Sequence, residues 1–345
     1  METNKYVSNE IADEGKTTGF SKVIKKIPSD KIVLSLAIVF IFILFASLNP
    51  NYASTTNIIN IFVAASLTGL VAIGATYLII AGMNDLSPGS VVAFTSVLSA
   101  VLSTNFKLNF GLVLLITIIA GGLVGIFNAF MVNKIQLDPF IATLVTQSIF
   151  RGVAYIICEG KPVPVNNATF NAFGTMRIFN VPIPVIILVI CLILFGLILS
   201  KTVFGRSIYV IGGSKDAARL AGLNPQRIVL ICYILMGIFC AIGGITLSGR
   251  MSSGQPAASV GLEFDAITAV ILGGVSFSGG VGDMFGTVLG VLILQSFNTG
   301  LIMTGVPTFW QFVARGLLLL LALTFDFFRK KKREKGLIEA SKKNL

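Results

Sequence analysis

The densest cluster of groups able to do chemistry is GMNDLSPGSV, residues 82–91, which puts one carboxylate (Asp85) and two hydroxyls (Ser87, Ser90) between two apolar runs. An acid followed by serines is the acceptor set of a helix N-terminus. Asp85 or Ser87 can take the first free amides, and the carboxylate favours the positive end of the helix dipole. Pro88 suits a first turn, where its missing N–H leaves nothing unsatisfied. Asp85, Leu86, Ser87, Gly89 and Ser90 are therefore read as an architectural and gating element, with contact to a hydroxylated solute as the competing use.

Other chemistry is poorly served. The chain has no histidine, which removes the commonest general base and metal ligand and excludes Ser-His-Asp and Cys-His nucleophiles. Cys158, Cys191, Cys232 and Cys240 show no CxxC spacing and read as small core residues. The nearest approach to a phosphate-binding loop is EIADEGKTT, where Glu10 occupies the place of the first glycine and no strand precedes. No nucleotide, metal or other cofactor is expected on this chain.

Acids also avoid the apolar runs: Asp85, Glu263 and Asp265 fall at their ends, whereas ion-coupled carriers bury carboxylates at mid-membrane. The charges within runs are Arg151 and Arg315, expected to snorkel or to pair with those acids. Neutral polar groups remain, and Asn60, Asn128, Gln147, Gln295 and Asn298 mark a candidate path for a neutral, hydroxyl-rich solute. Hydrogen bonds between helices are the competing use of each.

These groups need helices in lipid to hold them. Hydrophobic residues make up 54% of the 345 and charged residues 12%, against about 25% charged in soluble domains. A helix crosses the hydrocarbon in about 20 residues. By that measure ten spans lie near 32–48, 58–81, 91–104, 110–132, 140–158, 181–199, 228–248, 266–277, 286–299 and 309–327. The expected fold is an all-α polytopic membrane protein: a polar tail over 1–31, a transmembrane domain over 32–327 and a basic tail over 328–345. The first apolar run follows some 30 polar residues and reads as an uncleaved anchor, not a signal peptide.

The net charge of +11 is placed, not spread: Lys22, Lys25, Lys26 and Lys31 precede the first run, Lys201, Arg206, Lys215, Arg219 and Arg227 fall in 200–227, and FRKKKREKG follows the last run. Such clusters on a soluble protein would suggest nucleic acid. Beside membrane spans they indicate a cytoplasmic side, and ten spans put all three clusters there, with both termini.

The third and eighth spans are too short, and the eighth breaks at Gly273-Gly274 and Gly279-Gly280. They hold matching places in two five-span halves, and an odd offset inverts the second copy. Short, interrupted spans at matching places of an inverted pair point to a transport path. Gly121 and Gly125, and Gly282, Gly286 and Gly290, recur every fourth residue and should let neighbouring helices of the bundle pack closely.

The loop 200–227 is the longest on the basic side. After Gly212-Gly213, Ser214 can cap a short helix, KDAARLAGL, that stops at Gly222-Leu223-Asn224-Pro225. Ala217, Leu220 and Ala221 give it a small apolar face, better suited to a groove on another protein than to lipid.

Three long stretches, in order, carry a resemblance. GMNDLSPGSVVAFTSVLSA, YVIGGSKDAARLAGLNPQRI and SSGQPAASVGLEFDAITAVILGGVSFSGGVGDMFG resemble motifs of the membrane permeases of ribose-type ABC sugar importers, over about residues 32–328. The resemblance implies a type II importer-like permease of about ten spans in a bacterial cytoplasmic membrane. It further implies a second permease copy or close relative, an ABC ATPase subunit carrying ATP and Mg, and an extracytoplasmic sugar-binding protein. Gly212, Gly213, Asp216, Ala217, Ala218, Leu220, Ala221 and Gly222 would form the coupling helix that meets the ATPase. Met83-Asn84 and Ser214 depart from the family pattern without removing the acid or the serines. The implied function is ATP-driven import of a monosaccharide such as ribose. A partner-independent carrier, or a permease of this fold for a nucleoside, a branched-chain amino acid or a signalling furanose, are the alternatives.

Overall fold

Polar caps and prolines cut the apolar sequence into helices. In the computed structural model, which describes residues 29–343, Ser54, Asn109, Asp138, Asn224 and Asp283 each accept a backbone amide at a helix start. Pro88, Pro139 and Pro225 occupy first turns. The long helices are α1 (Ser29–Leu48), α2 (Thr55–Ile80), α3 (Pro88–Thr104), α4 (Phe110–Asn133) and α5 (Pro139–Ile157) in the first half. The second half begins, after the small helix α6 (Ala168–Thr175), with α7 (Ile183–Lys201), α8 (Val203–Gly213) and α9 (Lys215–Leu220). It continues through α10 (Pro225–Met251), α11 (Leu262–Leu272), α12 (Met284–Met303) and α13 (Thr308–Lys343).

All ten expected spans are present, and eight are long and apolar enough to cross a membrane. The two that are not, α3 with 17 residues and α11 with 11, are the third and eighth. Lys22, Lys25, Lys26, the EIADEGKTT stretch and most of the 1–31 tail lie outside the described residues.

The core forms around α2 and α10, where Leu70, Ile73, Tyr77, Tyr233, Met236 and Phe239 are almost fully buried. Small residues permit this closeness. A Cβ at Gly121 would strike Gly237 O, one at Gly125 would strike Tyr233 O, and one at Gly290 would strike Ala269 O. The stripes thus join α4 to α10 and α12 to α11 within one bundle, as the spacing indicates. Outward faces of α1, α4, α5, α7 and α13 carry exposed Leu, Ile and Phe, the dress of helices whose solvent is lipid.

Each half contains a long helix, a non-helical segment and a short helix: α2, 81–87, α3 and α10, 252–261, α11; the first segment is largely buried, the second only at Gly254 and Pro256. The two short helices start beside each other, since a Cβ at Gly89 would strike Glu263 Oε2 and Ser259 O. They then run apart, α11 toward the end that holds Gly82, Gly212 and Gly280. That end also carries Lys134, Lys215, Arg219, Arg227 and the basic run after Phe328, and is called the basic end below.

Two helices and two short ribbons do not follow from the sequence pattern. Helix α8 occupies VFGRSIYVIGG, rich in β-branched residues that favour strands; burial of Ile208 and Ile211 and the Thr202 cap override that preference. Helix α6, capped by Asn167, seats the buried Phe170 at the opposite end. There β1 (Val163–Pro164) pairs with β4 (Ser253–Gly254) and, nearby in sequence, β2 (Arg177–Ile178) pairs with β3 (Val181–Pro182), two ribbons too short to read as period-two patterns.

Candidate functional site

Helix α9 is built as a separate knob at the basic end. Ser214 Oγ accepts the Ala217 amide at 3.2 Å. Gly222 stops the helix in the left-handed region at φ 78°, which only glycine adopts without strain. Asp216 in the first turn and Arg219 in the last match the helix dipole.

The face that the knob presents differs in one respect from the expectation. Ala217, Leu220 and Ala221 point outward, and Leu220 is 92% exposed. Ala218 is completely buried, one position round the helix from Ala217, and serves to root the knob. Gly212 is likewise internal, since a Cβ there would strike Ile80 O and Gly280 N; Gly213 has open space around it. The eight residues proposed as a coupling helix thus divide into an outer set and an anchoring pair, Gly212 and Ala218. Beside the knob lies a cleft of about 320 Å³, with Lys215 and Arg219 on one side and Gln136, Leu137 and Asp138 on the other.

The second site is the interior junction where α3 and α11 begin. Asp85 Oδ1 accepts from Ser87 N at 2.8 Å and from Ser87 Oγ at 2.6 Å. Asn128 Nδ2 donates to Ser87 Oγ at 3.1 Å, and Thr146 Oγ1 donates to Asn128 Oδ1 at 2.6 Å. Each donor in this chain points toward the carboxylate. Asp85 therefore folds its own turn and takes the amide of Ser87, not an amide inside α3. Ser87 makes no side-chain cap, which corrects the expected arrangement. Ser87 differs from the capping residues of the other helices in its backbone, which is helical (φ −79°, ψ −16°) and not extended, and its hydroxyl is turned to Asp85 instead of the first amides of α3. Ser90 Oγ donates to Ser87 O, Leu86 N donates to Thr143 Oγ1, and Gly89 is where α11 draws close.

Across the junction, Gln147 Nε2 donates to Glu263 Oε1 at 2.9 Å, while Glu263 Oε2 has no partner among the described residues. Arg151 Nη1 donates to Pro256 O and Ala258 O at 2.8 and 2.7 Å, pinning the segment before α11. Arg315 pairs with Asp265 at 3.5 Å. Arg315 thus pairs with one of those acids, as expected, whereas Arg151 bonds backbone carbonyls. The acids do not behave as expected. Asp85 and Glu263 are 6% and 2% exposed, because a helix that starts part-way through the bundle carries its end residues inside. A sequence ruler that equates the end of a run with the membrane surface misses both.

The candidate path separates into three places. Asn128 and Gln147 belong to the junction. Gln295 Nε2 donates to Thr68 Oγ1 at 2.7 Å and braces α12 on α2, with the buried Asn298 one turn further along α12. Asn60 is exposed near the start of α2, away from the others; Asn57 is the buried asparagine there, donating to Tyr52 O. Helix bracing accounts for Asn128, Gln147 and Gln295.

Comparison with known proteins agrees with this architecture. Residues 57–323 match the family model described as branched-chain amino acid transport system / permease component. The L-arabinose transport system permease protein AraH of Escherichia coli K12 is 39% identical over 88% of this chain and 92% of its own length. The ribose import permease protein RbsC of Bacillus subtilis is 35% identical over 94% and 99%. RbsC of Escherichia coli K12 is 35% identical over 84% and 92%. No solved structure matches the chain at a significant level. The multi-pass helical chain, its two broken spans and its capped knob therefore belong to the branched-chain amino acid transport system / permease component family, among permeases of arabinose and ribose transport.

Proposed function

We propose that this chain is the membrane subunit of an ATP-driven importer for an aldopentose or a closely related monosaccharide. The observation that carries the reading is the rooted knob α9. It is a capped helix, fixed by Ala218 and Gly212, that offers an almost fully exposed Leu220 beside an open cleft, on a chain with no ATP-binding motif. A separate ATPase subunit binds ATP and Mg and receives Leu220 and Ala221 in a groove of its own. Lys215, Asp216 and Arg219 set the register. Closure of two such ATPases moves α9, and α9 moves 279–282 and the end of α2, because Gly212 lies against both.

On this reading the basic end faces the cytoplasm of a bacterial cell, both tails included, and residues 32–327 form the translocating domain. A second permease copy or close relative completes the path, and an extracytoplasmic binding protein delivers the sugar. Relatives named for arabinose and for ribose, both five-carbon sugars, support the substrate class. The junction of Asp85 and Glu263 serves as the gate region between the halves.

The test is Leu220→Asp in the complex purified with its ATPase and binding protein. The variant is expected to insert normally, and to lose ATPase association and at least tenfold of sugar-stimulated hydrolysis. Wild-type association and hydrolysis in that variant would refute the reading. Comparing stimulation by L-arabinose and D-ribose in the wild-type complex then identifies the sugar.

A further inference from the structure

Helix α13 outlasts the membrane. At about 1.5 Å per residue, its 36 residues span roughly 54 Å, against about 30 Å of hydrocarbon. The apolar part ends at Phe328, and the next seven residues hold six cations and one acid, RKKKREK. Positive charge at that place suits orientation alone, but its distribution around the helix does not follow from orientation.

Phe325, Phe328, Arg329, Lys332 and Arg333 follow each other at helical spacing and line one open groove of about 510 Å³. Phe325 and Phe328 are 63% and 61% exposed. Along the helix this face changes from aromatic to cationic at the height where acyl chains give way to phosphates. Arg329 also lies over the Phe325 ring, its guanidinium carbon 5.6 Å from the centroid. Lys330 and Lys331 centre on the opposite flank of the helix. The neighbouring face is held against the protein, by the buried Ala322 and by Asp326, whose Oδ2 accepts from Phe277 N at 3.0 Å. The groove is thus fixed in direction, and a fixed cationic groove can select a headgroup where a loose tail only attracts charge.

We propose that this groove is a binding site for one anionic glycerophospholipid, its phosphate held by Lys332 and Arg333 with Arg329, its acyl chains against Phe325 and Phe328. The lipid comes from the leaflet at the basic end, and only the identity of that leaflet depends on the orientation proposed above. The site adjoins 274–282, the loop whose Gly280 donates to Ile80 O at 2.8 Å and packs on Gly213.

Native mass spectrometry of the full chain in detergent tests this without reference to transport. The probes are phosphatidylglycerol and phosphatidylcholine of identical acyl chains. Wild type is expected to retain at least fivefold more phosphatidylglycerol. K332Q/R333Q should fall to the phosphatidylcholine level, and K332R/R333K should keep the preference. K330Q/K331Q removes the same charge from the other flank and should keep it too. The site is overturned by equal retention of the two lipids in wild type, by an undiminished preference in K332Q/R333Q, or by an equal loss in K330Q/K331Q. Displacement of the lipid by millimolar inorganic phosphate would likewise overturn it, by showing a plain anion site.

Discussion

Gly212 and Gly213 are neighbours with opposite duties. Gly212 stands where two backbones pass, at Ile80 O and Gly280 N, whereas a side chain added at Gly213 would meet nothing. Gly212→Val should therefore lower the melting temperature and the yield of folded protein in detergent, while Gly213→Val should melt as wild type does; equal behaviour would contradict the packing. Substitution of an N-cap serine by alanine costs about 1 kcal/mol, so Ser214→Ala should speed hydrogen exchange at the amides of α9 and leave those of α10 unchanged. At this scale the sequence was readable where one residue has one dominant use. The Ser214 cap and the Gly222 stop were visible in the local pattern. The inward turn of Ala218 was not, because which side of a short helix faces the protein depends on α8 and α10, whose packing the local pattern does not contain. The chain of bonds behind Ser87 was also hidden, since it draws on Asn128 and Thr146, which come from two other helices.

Among elements, long spans follow from hydropathy and short ones from its interruption. The positions of α3 and α11 were legible because twelve to fourteen apolar residues cannot cross about 30 Å as a helix. Where their starts lie was not legible. The segments 81–87 and 252–261 lead into the short helices, and Thr143, Arg151 and Tyr233 satisfy the backbone of Leu86, Pro256 and Asn84 within them. Such irregular backbone survives at membrane depth only when protein surrounds it. Helix α13 is held to α11 in part by Arg315 and Asp265, whose side chains are 30% and 13% exposed. Removing one partner of a buried pair costs about 3–5 kcal/mol; with Arg315 partly exposed, about 2 kcal/mol is expected for Arg315→Leu. Arg315→Leu combined with Asp265→Asn should recover most of that loss, and a thermal-melt cycle of the four proteins measures it. Additive losses would show that the two side chains stabilise α13 independently.

For the molecule as a whole, charge placement alone anticipates that 133–139, 200–227 and the start of the final tail share one end, and the structure brings them together. The proposed orientation has a direct test. A cysteine in place of Lys215 should resist a membrane-impermeant thiol reagent in intact cells and react once the membrane is opened. Labelling in intact cells would reverse the orientation and with it the side on which the ATPase docks. The head-to-head meeting of α3 and α11 carries a consequence of another kind. Two helix starts are like poles, each with roughly half a positive charge, and here they are pressed together beside two buried acids. Asp85 and Glu263 neutralise a repulsion that would otherwise drive the poles apart. A balance of that sort tips with small displacements, because like poles relax as they separate and the acids lose their reason to stay. The seam between the halves is therefore held by two buried acids as much as by the fit of its surfaces.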